Sequence, residues 1–156
     1  MEAGEQTPSR EAVTNLILAV FRFNNVLLRA GDRLVAPLGL TSARWQILGA
    51  VAFSERPQPV AWLARDLGAN RQNVQRIVND LEGAGLVAFE TNPHHRRAQL
   101  VVLTGKGRKA FDAAMKLQGP WADGLSEGVA VRDLETAHRV VLALRQNLDG
   151  EDDADE

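Results

Sequence analysis

Apolar residues recur at helical spacing along most of this chain, interrupted once by two short runs rich in Val, Leu and Phe. Thr7 and Pro8 can open a first helix as N-cap and first-turn proline. It is expected to run to about Ala36, with Val13, Leu16, Ile17, Val20, Leu27 and Leu28 along one side and Gly31 and Asp32 loosening its last turns. Residues 37–40, PLGL, form a connection; Thr41 caps a second helix over 42–53, in which Trp45, Leu48, Val51 and Ala52 are available to pack. SERPQP, residues 54–59, reads as a loop. In VAWLARDLG, Val60, Leu63, Ala64 and Leu67 make a stripe, Pro59 occupies a tolerated first-turn position, and Gly68 supplies a left-handed stop.

Asn70 then caps NRQNVQRIVNDLEG, residues 70–83, where Val74, Ile77, Val78 and Leu81 fall at i, i+3, i+4 and i+7. Residues 86–91 and 98–103 are strands flanking NPHHRR, a turn opened by Asn-Pro. Thr104 caps a helix carrying Ala110, Phe111, Ala114, Met115 and Leu117. Gly119-Pro120 should kink or break it before it resumes through Trp121 to about Leu125. The last helix starts near Val131 and ends near Leu148, with Leu134, Ala137, Val141, Leu144 and Leu148 in register.

The helix after Asn70 has an unusual polar side. Wound at about 100° per residue, Gln72, Gln75, Arg76 and Asn79 lie opposite the apolar stripe. Solvated helix faces usually carry Glu and Lys; here no acid faces out before Asp80 and Glu82. Amides and guanidinium make paired hydrogen bonds to adenine and guanine edges in a major groove. Two short helices joined by a tight Gly-containing turn, the second polar and basic outward, match a helix-turn-helix. The hairpin after it, with Arg96 and Arg97 at its tip, is then a wing able to reach a phosphate or the minor groove. Arg71, at the helix N-terminus, suits a phosphate, and Asn73 flanks the reading face.

LARDLGANRQNVQRIVNDLEGAGLV followed by NPHHRRAQLVVLTGKG resembles the winged helix-turn-helix of the MarR family of bacterial transcription regulators. Gly68, Gly85 and Gly107, the order of apolar blocks and the run from Arg96 to Thr104 carry the resemblance, and flanking helices extend it over nearly the whole chain. It implies a mainly α fold with a small β-hairpin wing: one domain over 1–156, with dimerisation helices at 7–36 and 104–148 and the winged helix-turn-helix at 41–103. It implies a homodimer on double-stranded DNA, with Arg97 in the minor groove; where the family's wing usually reads Asp-x-Arg, this chain has His95 and keeps Arg97. Some relatives hold small aromatic or phenolic acids between the dimer helices and the DNA lobe. In this chain that points to Arg22, Asn25, Arg44 and Trp45. Others sense peroxides through cysteine, a route closed here by the absence of any Cys.

Charge changes the picture once it is divided along the chain. The net charge is −2, but residues 149–156, DGEDDADE, hold six acids and no base, so the remainder carries 18 bases against 20 − 6 = 14 acids, or +4. From residue 65 to 109 there are eight Lys and Arg against four Asp and Glu. Positive charge therefore sits where the motif does. The acidic end is expected to be a solvated tail and residues 1–6 a disordered one; a role of the tail in competing with DNA stays open.

No run approaches the roughly 18 apolar residues of a membrane span, no secretory leader opens the chain, and the cytoplasm is the expected compartment. No nucleophile with its base and no converging carboxylates are apparent, so no enzyme and no cofactor is expected. His94 and His95 are adjacent on a turn with no third ligand nearby, His138 is expected at the surface or an interface, and Trp45, Trp62 and Trp121 as core aromatics. The first and last helices have more apolar surface than a small winged domain covers, which favours burial against a second copy. A winged-helix module that binds protein or RNA is the alternative.

Overall fold

A computed structural model of the chain describes residues 7–152. Contacts group them into two compact units, Met1–Gln118 and Gly119–Glu156. In the first, α1 (Pro8–Val35) is followed by a 3-10 turn (Ala36–Leu38), α2 (Ser42–Phe53), β1 (Gln58–Pro59), α3 (Val60–Leu67), α4 (Arg71–Gly83), β2 (Val87–Glu90) and β3 (Leu100–Leu103). Helix α5 (Gly105–Leu125) begins in this unit and ends in the second, which holds α6 (Val131–Asp152).

The first unit has one core. The stripes foreseen for α3 and α4 bury Val60, Leu63 and Ala64 from one helix and Val74, Ile77, Val78 and Leu81 from the other. Ile47 and Leu48 of α2, Val87 and Val101 of the sheet, and Phe111 and Ala114 of α5 close the same cluster. Caps fix where the helices start: Thr7 accepts from the Arg10 amide at 3.3 Å, Thr41 from Arg44 at 3.2 Å and Asn70 from Asn73 at 3.1 Å. Helix α3 stops at Gly68, whose φ of 61° is a conformation glycine adopts without a Cβ penalty.

The sheet has three strands in the order β1-β3-β2, all antiparallel, with Val87 opposite Leu103 and Glu90 opposite Leu100. The loop expected at 54–59 therefore ends in a strand: Gln58 pairs with Val101 and Pro59 with Leu100. Two residues carry no alternation to read, and a proline is tolerated because this is an edge strand. Pro59 is the extended N-cap of α3, just outside the helix.

Four further expectations change. The break at Gly119-Pro120 does not occur: α5 is helical from Gly105 to Leu125 with Pro120 inside it. One lost donor does not end a helix whose flanking residues, Lys116 to Gln118 and Trp121 to Ala122, all accept helical backbone. Gly31 does not loosen α1, which continues to Val35; it is buried, and a Cβ there would collide with the Ser42 side chain. Trp62 is 59% exposed, not a core aromatic, because it sits on α3 opposite the buried stripe; Trp45 and Trp121 are half-buried. Helix α6 also runs on to Asp152, so the first acids of the expected tail are helical, while residues 153–156 and 1–6 lie outside the described part.

Much apolar surface is left uncovered. On α1 only Gly31 and Val35 are buried, and Phe21 is 64% exposed, with Ile17, Leu18, Val20, Phe23 and Val26 also open. The helix with its 3-10 turn, residues 8–38, is long and apolar enough to cross a membrane by length and composition, contrary to the expectation that no run approaches that. Asn15, Arg22, Asn24 and Asn25 interrupt it, so the apolar residues are high on average without being continuous.

Candidate nucleic-acid interface

The polar side of α4 is held outward by the burial of its opposite stripe. Gln72, Asn73, Arg76 and Asn79 are exposed and Gln75 is half-buried. The residues divide into two rows. Arg71, Gln75 and Asn79 line a cleft of about 180 Å³ with Arg97, Ala98 and Gln99 of the wing and with Phe89 of β2. Within that row the Gln75 amide nitrogen donates to the Asn79 carbonyl oxygen at 3.0 Å. Along the other row Arg76 donates from Nη2 to the Asn73 side-chain oxygen at 2.8 Å and faces the Asp80 carboxylate, Nη1 to oxygen, at 3.6 Å. Gln72 lies between the rows, by the 100° winding of the helix.

The wing takes its shape from a buried asparagine. Asn92 accepts from the His94 amide at 3.0 Å through its side chain and from the His95 amide at 3.3 Å through its carbonyl, and Ala98 closes a further turn on His95 at 3.1 Å. These turns leave His94, His95, Arg96 and Arg97 exposed at the tip. His95 contributes backbone groups to the turn, and the side chain that organises it is Asn92. An Asn-Pro pair in the sequence signals a turn, and Asn92 is the residue that a search for charged site groups passes over.

The base of the wing is fastened to both neighbouring helices. Thr104 donates from Oγ1 to the Gly85 carbonyl at 2.6 Å and accepts from the Gly107 amide at 3.0 Å, so one hydroxyl caps α5 and ties it to the end of α4. Lys106 reaches back to the Ala84 carbonyl at 2.9 Å. Gly107 packs so tightly that a Cβ would meet the Leu86 carbonyl. The distance between reading helix and wing is thereby set by short-range contacts.

Electrostatically the helix itself is balanced, Arg71 and Arg76 against Asp80 and Glu82. Excess positive charge comes from Arg96 and Arg97 on the wing and from Lys106, Arg108 and Lys109 at the start of α5. The four residues suggested for a small ligand are not gathered in the same way. Arg22 and Asn25 are exposed on α1, Arg44 and Trp45 are half-buried on α2, and none of them lines the cleft or the two larger hollows beside Trp62.

A family model for MarR proteins matches residues 38–98, the stretch that holds α2, α3, α4, β2 and the tip of the hairpin. An uncharacterised protein of Mycobacterium tuberculosis is 35% identical over 139 residues, spanning 86% of this chain and 96% of that one. The chain belongs to the MarR family. Another relative, the transcriptional activatory protein BadR of Rhodopseudomonas palustris, is 29% identical over 150 residues, 92% of this chain and 83% of BadR. Among solved structures, the transcriptional repressor CouR bound to a 23-mer DNA duplex superposes with a TM-score of 0.68 at 27% identity, covering 94% of this chain and 98% of CouR. The mainly helical fold with its small antiparallel sheet is that of the MarR regulators.

Proposed function

We propose that this MarR-family chain is a sequence-specific regulator that binds duplex DNA as a homodimer on a pseudo-palindromic site. The observation that carries the reading is the cleft in which Arg71, Gln75 and Asn79 of α4 stand beside Arg97 of the wing, next to the exposed Gln72, Asn73 and Arg76. A helix showing amides and guanidinium fits the major groove, and a guanidinium on an adjacent hairpin fits the neighbouring minor groove. A two-fold pair would space two such heads about 34–36 Å apart, one turn of B-DNA. The exposed apolar residues of α1 supply a surface for that pairing. Repression is the sign adopted, as in the repressor CouR, since occupancy of the site would by itself block access. A cytoplasmic location goes with this reading.

Selection of binding sites from random duplex DNA tests the proposal: a two-fold symmetric consensus supports it, and equal affinity for all duplexes rejects it. With the consensus in hand, Gln72→Ala or Arg76→Ala should each cost about 1–3 kcal/mol on the preferred site and relax preference at one base position. Arg71→Ala, and Arg96→Ala on the wing, should weaken all sequences alike and flatten the log-log salt slope by about one unit. Arg97→Ala should weaken binding most on sites whose flanks have a narrow, A·T-rich minor groove. Release by a small aromatic acid near Arg22, Asn25, Arg44 and Trp45 belongs to the same reading; titration of such acids into the protein–DNA complex checks it.

A further inference from the structure

One acid stands inside the reading surface. Asp80 lies on α4 one turn beyond Arg76, 45% exposed, with its carboxylate 3.6 Å from Nη1, while Arg76 itself is 66% exposed. Arg76 is thus flanked along the helix by Asn73 on one side, hydrogen-bonded at 2.8 Å, and by Asp80 on the other. The two partners act differently. Asn73 takes one Nη2 hydrogen, whereas Asp80 is beyond hydrogen-bond reach of Nη1 and leaves its donors free for an edge with two acceptors.

We propose that Asp80 is a specificity-determining residue of the DNA interface, which rests on the reading given under Proposed function. Its first effect is on the field. A bare guanidinium at the middle of the helix would attract any phosphate, and a carboxylate beside it cancels most of that attraction at long range. Its second effect is repulsive: a duplex that brings a phosphate against this row meets the Asp80 charge, while the O6 and N7 of guanine in line with Arg76 do not carry a full charge. Its third effect is positional, because a planar fork held between residues one turn away on either side has fewer orientations to lose on pairing. Asp80 accordingly gives up affinity for arbitrary DNA and keeps discrimination at the base that Arg76 reads.

The test uses the wild-type chain and three variants of equal length: Asp80→Asn, Arg76→Gln, and both changes together. Each is titrated with the selected consensus duplex and with a scrambled duplex at several salt concentrations. Asp80→Asn is expected to raise affinity for the scrambled duplex about three- to tenfold at low salt and to steepen its salt slope, with a smaller change on the consensus. The specificity ratio therefore falls. In the Arg76→Gln background the same substitution should still raise scrambled-duplex affinity but leave the ratio where Arg76→Gln put it. A ratio unaltered by Asp80→Asn, or one lowered equally in both backgrounds, overturns the role through Arg76. Wild-type protein that does not distinguish the two duplexes overturns the functional reading and this inference together. Thermal unfolding of Asp80→Asn should match wild type, since the Asp80 side chain is at the surface and its backbone bond to the Ala84 amide is untouched.

Discussion

Gly107→Ala should destabilise the first unit by about 3 kcal/mol, read as a lower urea midpoint with an unchanged slope. The new methyl would be driven into the Leu86 carbonyl, which is backbone and cannot rotate away. Leu86 is pinned on both sides, its amide bonded to the Leu81 carbonyl at 2.9 Å and its carbonyl to the Thr104 amide at 3.1 Å. Relief therefore requires α5 to back off from the base of the wing. Loss of DNA binding should then accompany partial unfolding, because the same contacts set the distance between α4 and Arg97. Gly83→Ala is the comparison: it has no neighbour within 4 Å of its ideal Cβ and ordinary helical backbone, and should be neutral or stabilising by a few tenths of a kcal/mol to about 1 kcal/mol. Equal midpoints for the two variants would mean that the approach at Gly107 is looser than described.

Phe21→Glu on α1 should turn the dimer proposed above into monomers and weaken binding to the full consensus at least about 100-fold, because the linked second half-site supplies that factor without new contacts. Phe21 is 64% exposed in the single chain, so the substitution removes nothing from the core around Leu48 and Val78. Sedimentation should show wild type near twice the 17.0 kDa chain mass and the variant near one. The helix-turn-helix lobe of the variant should still unfold cooperatively. Binding of a single half-site duplex should change little between the two proteins, which separates loss of pairing from damage to the reading surface.

Most of the exposed polar side of α4 was legible because its two determinants are local. The stripe Val74, Ile77, Val78 and Leu81 fixes which side of α4 is buried, and the side chains opposite it are then exposed by geometry alone. The same holds for Gly68 and Asn70, whose backbone roles follow from their own chemistry. What could not be read depends on partners distant in sequence. The edge strand Gln58–Pro59 exists because β3 has a second side to pair with, 101 − 58 = 43 residues away at Gln58↔Val101, a separation no window of the sequence spans. The role of Gly31 depends on where Ser42 arrives, and the exposure of Trp62 on how the described elements pack around α3. The break assigned to Pro120 overrated a single lost donor against a long run of helix-forming residues. Asp80 was visible as an acid near the end of the helix, but its facing of Arg76 needed side-chain positions.

Ser42 is one of the few buried polar residues, and it is bonded twice across to α1: its hydroxyl donates to the Leu28 carbonyl and its amide donates to the Asp32 carboxylate, each at 2.7 Å. With Gly31 cut away to admit it, this joint works as a rivet between the long first helix and the start of the reading lobe. A lobe riveted in this way cannot swivel on α1 without stranding a hydroxyl in apolar surroundings. In the dimer proposed above, any adjustment of the gap between the two heads must then be made where one α1 meets its counterpart, so that the setting of the pair, more than the bending of either member, would govern which operator spacings are accepted.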